Sequence, residues 1–165
     1  MTPELQETLA PVLGAVPSGV FILVAGDGNG KTTGLLASWI QQASFDPPQL
    51  TVAVNKSRYL NDWLSAGAPV TLNQVAKDDG VLFKHFGKGF EPDQDAFDGV
   101  ETEVGTAGLP VLTASLATME GRVVSSLEAA DHQIYLVEIT NGICHQDSDA
   151  SGAPFVHIRK NGFHY

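Results

Sequence analysis

The stretch Val24-Ala25-Gly26-Asp27-Gly28-Asn29-Gly30-Lys31-Thr32-Thr33 decides how the rest of the chain is read. An apolar run, Val20 to Ala25, empties into a glycine-rich loop ending Gly30-Lys31-Thr32. With Ala25 in place of the first glycine, these residues satisfy a relaxed phosphate-loop pattern, in which backbone N–H groups and a lysine cradle a nucleotide's phosphates. The same residues contain Asp27-Gly28 and Asn29-Gly30. Such dipeptides accept positive φ cheaply and are strong signals of a tight β-hairpin. The two readings lead to different folds.

The flanking sequence chooses between them. Leu35, Leu36, Trp39, Ile40 and Ala43 fall at helical spacing, so a helix could follow Lys31-Thr32, and Ile134–Glu138 could be an apolar strand ending in a magnesium-directed acid. A phosphate loop belongs to a parallel sheet, however, and parallel neighbours need crossover connections of about ten or more residues. After residue 104 only strand and turn patterns occur: Val111–Leu116, Arg122–Leu127, Ile134–Thr140 and Phe155–Lys160, punctuated by Gly121, Asn141-Gly142 and Ser151-Gly152. The helix would also stop at Asp46-Pro47-Pro48, and Trp39-Ile40 favours strand. Gly26–Gly30 therefore reads as a hairpin tip, Lys31 as a hairpin charge, and the second half as antiparallel β structure. A phosphate-loop nucleotide-binding protein remains the third functional alternative.

The first half adds short helices. Thr2 and Pro3 suit the start of a helix over residues 2–13, which Pro11 is expected to end early. Leu50–Asn55 alternates as a half-buried strand does, and Ser57 is placed to cap a helix through about Ala66, with Tyr59, Leu60, Trp63 and Leu64 inward. Val70–Asn73 reads as another strand. Asp78 or Asp79 can cap a short helix burying Leu82, Phe83 and Phe86, and Glu91 to Glu103, with six acids, reads as a solvated loop of the kind that rims sites.

Composition bounds the partners. The chain has 165 residues, 43% apolar and 17% charged, which suits one compact globular domain. Nineteen acids against nine basic residues give a formal charge of −10, so nucleic acid and anionic membrane surfaces are poor partners. Cys144 is the sole cysteine, which excludes an internal disulfide, and it reads as a small buried hydrophobe. His85, His145, His157 and His164 lack metal-ligand spacing with one another or with Cys144, so no metal site is expected. There is no Lys or Arg before Lys31 and no apolar run near the ~20 residues of a membrane helix, which points to a cytoplasmic protein.

Read with a hairpin at residues 26–30, the chain resembles the flavin reductase family. The marks are Pro17-Ser18-Gly19-Val20, Gly34-Leu35-Leu36-Ala37-Ser38-Trp39, Ser44-Phe45-Asp46-Pro47-Pro48, Asn55-Lys56-Ser57-Arg58, Phe97, Asp131-His132, and Arg159-Lys160-x-Gly162-x-His164-Tyr165. The wording from Gly34 to Pro48 and the His-Tyr ending are most similar to the C-terminal flavin reductase module of flavodiiron (diflavin) proteins of oxygenic phototrophs. The chain is read as that module excised or as a free-standing relative.

The resemblance implies a mainly β fold over residues 1–165, an antiparallel Greek-key split β-barrel that binds FMN, with a few short helices. It implies FMN as cofactor, with FAD the larger alternative, laid against Ala37–Ser44 and completed by a homodimer partner. NAD(P)H would be the hydride donor and a flavodiiron module an electron acceptor. Backbone N–H groups of Ala37, Ser38, Trp39 and Ile40, with the Ser38 hydroxyl, can meet the polar edge of the ring; Trp39 either packs on the ring or is plain core. Asn55, Lys56, Ser57 and Arg58 sit where a strand passes into a helix N-terminus, which favours the phosphate, and Arg58 can bond it through two nitrogens. Ser44, beside the stiff Pro47-Pro48, would offer its hydroxyl to the ribityl-phosphate side. His132 would position the nicotinamide, or else be a turn histidine bonded to backbone. Leu36 stands where many relatives carry Thr, and Ala130 where they carry Gly. A non-enzymatic FMN-bound electron carrier of the same fold is the second reading.

Overall fold

The computed structural model describes residues 1–145 and 152–164; Ser151 of the expected turn and Tyr165 of the C-terminal motif lie outside the described residues. The deciding stretch is a hairpin. Strand β2 (Phe21–Gly26) pairs antiparallel with β3 (Thr32–Ala37), Gly26 opposite Thr32. Gly28 and Gly30 take φ of +76° and +99°, which only glycine does without strain. The Asp27 carboxylate accepts from the N–H groups of Asn29 (2.8 Å) and Lys31 (3.0 Å). The Asn29 bond leads in holding this carboxyl below its ordinary value, assisted by Lys31 against some desolvation. A loop whose N–H groups already hold their own carboxylate does not offer them to a nucleotide.

The largest sheet has seven antiparallel strands in the order β3-β2-β6-β9-β10-β5-β4. Its remaining members are β4 (Ile40–Phe45), β5 (Pro48–Asn55), β6 (Pro69–Gln74), β9 (Ala117–Ala129) and β10 (His132–Cys144). The neighbours β2–β6, β6–β9 and β10–β5 are not consecutive, which is the Greek-key crossing. The two edge strands, β3 and β4, are joined by only Ser38-Trp39. So short a link between opposite edges requires the sheet to curl until its edges meet, and the barrel is split at those two residues. β2 reads as an unbroken apolar run because both its faces are buried. Phe21, Leu23 and Ala25 pack with Val52, Val54, Leu72 and Val137, while Val20, Ile22 and Val24 pack with Val75, Leu82, Phe86 and Leu112.

Several expectations are corrected. Helix α1 (Pro3–Gly14), capped by Thr2, runs through Pro11. Its last turn is held from outside: Gly162 N donates to Ala10 O (2.8 Å) and Arg159 N to Gly14 O (3.0 Å). Residues 57–66 form only a 3₁₀ turn, Tyr59–Trp63, because Ser57 N (2.9 Å) and Oγ (2.7 Å) both donate to Asn55 Oδ1 in an Asx-type turn instead of capping a helix. Asn141-Gly142 lies inside β10, where a bulge between Ile139 and Asn141 absorbs the irregularity; the hairpin turns at Ala130-Asp131, Ala130 having φ +44°. The late strands also differ from their expected bounds. β7 (Thr102–Val104) begins in the last residues of the expected loop and pairs with β8 (Pro110–Leu112), and β11 (Val156–His157) pairs with β1 (Ser18–Gly19). Cys144 is exposed at the end of β10, not buried. Helix α2 (Gly80–Gly87) follows expectation, with Asp79 accepting from Val81 N (3.1 Å) and Leu82 N (3.0 Å) and with Leu82 and Phe86 buried.

One buried acid fastens the β7–β8 loop. Glu120 is 3% exposed and accepts from Ala107 N (3.1 Å) and Asn141 Nδ2 (2.8 Å). Burial pushes its carboxyl up, but these two donors and Thr106 outweigh it, leaving the group below its ordinary value.

Candidate functional site

The split in the barrel is a cleft. Leu35, Leu36, Ala37 and Ser38 form one lip, Ala53, Val54 and Asn55 the other, and together with Ser57, Arg58 and Phe86 they bound a cavity of about 230 Å³. The lips are held in place by backbone: Trp39 O accepts from Ala53 N (3.0 Å). The expected continuous strand Ala37–Ser44 is thus two strands with a break at Ser38-Trp39, and Ser38 lies in the wall between this cavity and the one beside Trp39. Its Oγ is buried and has no hydrogen-bond partner. A hydroxyl left so costs about 1–3 kcal/mol unless something else satisfies it.

The other end of the cavity carries positive charge. Arg58 follows a pinned turn: Arg58 N donates to Asn55 O (3.0 Å), and Asn61 Nδ2 donates to Asn55 O (2.8 Å) and Arg58 O (2.7 Å). Gly89, at φ +72°, lets the loop after α2 come close, since a Cβ there would lie 3.3 Å from Arg58 Nη1. Gly34 has a similar part on the sheet side, where any Cβ would collide with the Phe86 ring. Walls that mix apolar side chains with Ser38, Asn55 and the Arg58 guanidinium suit a flat ring carrying an anionic tail.

A second chamber, about 490 Å³, opens beyond Asn55, which lines both. His132 faces Asn55 across the β10–β5 ladder, which carries it there. Its Nδ1 lies 2.9 Å from Asp131 Oδ1, and its ring is 4.7 Å from that of Trp39. The His132 bond leads in holding the Asp131 carboxyl below its ordinary value. The Arg159 guanidinium lies 5.1 Å over Trp39 while its nitrogens donate to Gly162 O (3.2 Å) and Leu13 O (3.5 Å).

Of the residues expected at the site, Ala37, Ser38, Asn55, Ser57 and Arg58 line the first cavity, while Trp39 and His132 line the second. Ile40 is core, 8% exposed, and with Trp39 borders a separate cavity. Lys56 is turned away, its Nζ paired with the Glu128 carboxylate, and Ser44 sits out on β4 opposite Gln49, bordering none of these cavities. Phe86, Gly87, Gly89 and the Ala53-Val54 lip were missed. A glycine within a strand, here Gly34, is the signal of close approach that could have pointed to Phe86. Among the described residues, no three His, Cys, Asp or Glu side chains group as metal ligands, and no helix is long and apolar enough to cross a membrane.

The profile of the flavin reductase like domain matches residues 13–164. The chain belongs to this family. Among curated flavin reductase-like relatives, diflavin flavoprotein A 1 of Synechocystis is 39% identical over 163 residues, 98% of this chain and 28% of the relative. A putative diflavin flavoprotein A 1 of Thermosynechococcus vestitus is 37% identical over 162 residues, again 98% and 28%. The chain thus spans little more than a quarter of the length of the curated relatives it matches. The same fold occurs in the NADH:FAD oxidoreductase of Streptomyces globisporus, with TM-score 0.83 and 22% identity over 96% of this chain and 91% of that one. It also occurs in the styrene monooxygenase flavin reductase of Pseudomonas putida, with TM-score 0.74 and 20% identity over 91% of each chain.

Proposed function

We propose that this flavin reductase-like chain is a cytoplasmic NAD(P)H:flavin oxidoreductase domain that holds FMN in the barrel split. In this reading it works as a homodimer and hands electrons to a flavodiiron module. The observation that carries the reading is one cavity whose walls hold both Arg58 and Ser38, the latter with a buried hydroxyl that has no partner. FMN, when bound, supplies the acceptor for hydride and the route onward for its electrons.

The chain's own residues do the rest. Ser38 would offer its unsatisfied hydroxyl to the polar edge of the ring, and Leu35, Leu36, Ala37 and Val54 would exclude water from its faces. Arg58 would hold the phosphate, with Ser57 and Asn55, bonded to each other, fixing the turn that presents it. His132, braced by Asp131 and set against Trp39, would help orient the nicotinamide next to the flavin. No proton relay through His132 is needed for hydride transfer.

Purified protein loaded with FMN should bleach rapidly with excess NADPH or NADH under anaerobic conditions. A protein that binds FMN but stays oxidised with both donors, yet is reduced at once by a reduced protein partner, belongs to the second reading, a flavin-bound electron carrier. Leu36, which gives the cavity wall no hydroxyl, and the acids between Glu91 and Glu103 favour that reading.

A further inference from the structure

Arg58 is aimed by the turn Asn55–Arg58, so whatever fixes that turn fixes the guanidinium. The Ser57 bonds to Asn55 Oδ1 shape the turn from within. Two ties join it to its surroundings. Lys56 N donates to Asp131 O (2.9 Å) near its start. Asn61 spans it: Nδ2 donates to Asn55 O (2.8 Å) and Arg58 O (2.7 Å), the first and last carbonyls of the turn, while Oδ1 accepts from Tyr135 Oη (2.9 Å).

Tyr135 is a firm anchor for that amide. It is 5% exposed within the barrel core, and on β10 it is paired with Val52 of β5 on one side and Ser126 of β9 on the other. Its hydroxyl also decides which way the amide is turned. One end of an amide donates and the other accepts. With Tyr135 donating to the oxygen, the NH2 group faces the two carbonyls; reversed, the amide would set its oxygen against both. Burial, and after it the Asp62 carboxylate, pushes the Tyr135 hydroxyl above its ordinary value, so it keeps its proton at neutral pH. Paired bonding of a guanidinium to a phosphate depends on geometry, and a turn free to shift would lose it.

We propose that Tyr135 and Asn61 are positioning residues for the cofactor's phosphate: Tyr135 sets the Asn61 amide, and the amide clamps the turn that aims Arg58. The proposal rests on the flavin reading above and goes beyond it by assigning phosphate affinity to two side chains that do not line the cavity.

Titration of the flavin-free chain with FMN and with riboflavin, followed by flavin fluorescence, tests it, because riboflavin has no phosphate for Arg58 to meet. Tyr135→Phe deletes one hydroxyl and keeps the buried ring. It should weaken FMN about three- to five-fold, and Asn61→Ala about ten-fold, with riboflavin affinity unchanged in both. In an Arg58→Ala background neither change should weaken FMN further, since both act through that guanidinium. Tyr135→Phe carries the test alone if Asn61→Ala fails to fold. Variants that weaken FMN and riboflavin in step, variants that weaken neither, or losses that add in full to that of Arg58→Ala would overturn the positioning role while leaving the flavin reading standing. A wild-type chain that binds neither flavin would overturn both.

Discussion

Replacing Gly34 with alanine puts a methyl group where Phe86 already stands. The added Cβ would lie 2.9 Å from Phe86 Cδ1, nearer still to Cε1, and 3.3 Å from Ile22 Cγ2. Carbon atoms rest at about 3.5–4.0 Å, so the ring must retreat by about 1 Å. Phe86 is 1% exposed and edged by His85 (4.8 Å), Phe90 (5.8 Å) and Phe97 (6.0 Å), so the ring either disturbs these neighbours or moves into the cleft it borders. Overpacking of this kind costs about 1–3 kcal/mol, and the strand-forming gain of Ala over Gly returns about 0.5–1 kcal/mol. A net loss of about 2 kcal/mol is expected near the upper end of the overpacking range. For a chain of this size that lowers Tm by about 4–8 °C. Because Phe86 is also a wall of the cleft, flavin affinity should fall with it. Thermal melting by circular dichroism and flavin titration read the two effects. A Phe86→Leu change in the same chain should recover part of the loss, since it removes the obstructing atoms. A Gly34→Ala protein melting within a degree of wild type, with unaltered flavin affinity, would refute the packing on which the cleft depends.

Ser38→Ala should weaken FMN binding about five-fold while leaving the flavin-free Tm equal or slightly raised, because the deleted hydroxyl has no partner there; titration and melting check the pair. Arg58→Ala should weaken FMN about 10- to 100-fold and leave riboflavin, which has no phosphate, nearly unchanged, as fluorescence titration of both will read. Glu120 has its folded-state pKa held below the ordinary 4.5, so the stability it contributes is present above that value and is lost as pH falls through the lower folded-state value. Melting from pH 7 to pH 3 should show Glu120→Gln about 2 kcal/mol less stable than wild type at neutral pH, with the gap closing in acid.

How much of this was legible in the sequence follows from whether a feature is local. The hairpin was readable because Asp27-Gly28 and Asn29-Gly30 act within five residues, and the structure closes it with Asp27 itself. Strand β5 was readable from its alternation, and α2 from its Asp79 cap. What was not readable depends on distant partners. α1 outlasts Pro11 because residues 159 and 162 bond its last turn. Lys56 has the right type at the right turn, but Glu128 from the neighbouring hairpin takes it. The break at Ser38-Trp39 follows from a curled sheet having to pass from one edge to the other, which no window of a few residues displays. Phe86 reached the cleft only because Gly34, fifty-two positions earlier, has no side chain.

That break sets a limit on how the cleft moves. One lip runs straight into Ser38-Trp39, and there Trp39 O accepts from Ala53 N (3.0 Å) of the other lip, so the split is fastened at its root. The lips therefore act as a rigid jaw. Any loosening that lets a cofactor leave has to come from the opposite bank, where Phe86, Gly87 and Gly89 belong to a two-turn helix and its trailing loop. How long a flavin stays should accordingly track how firmly that small helix is anchored, and hardly at all how stable the barrel is.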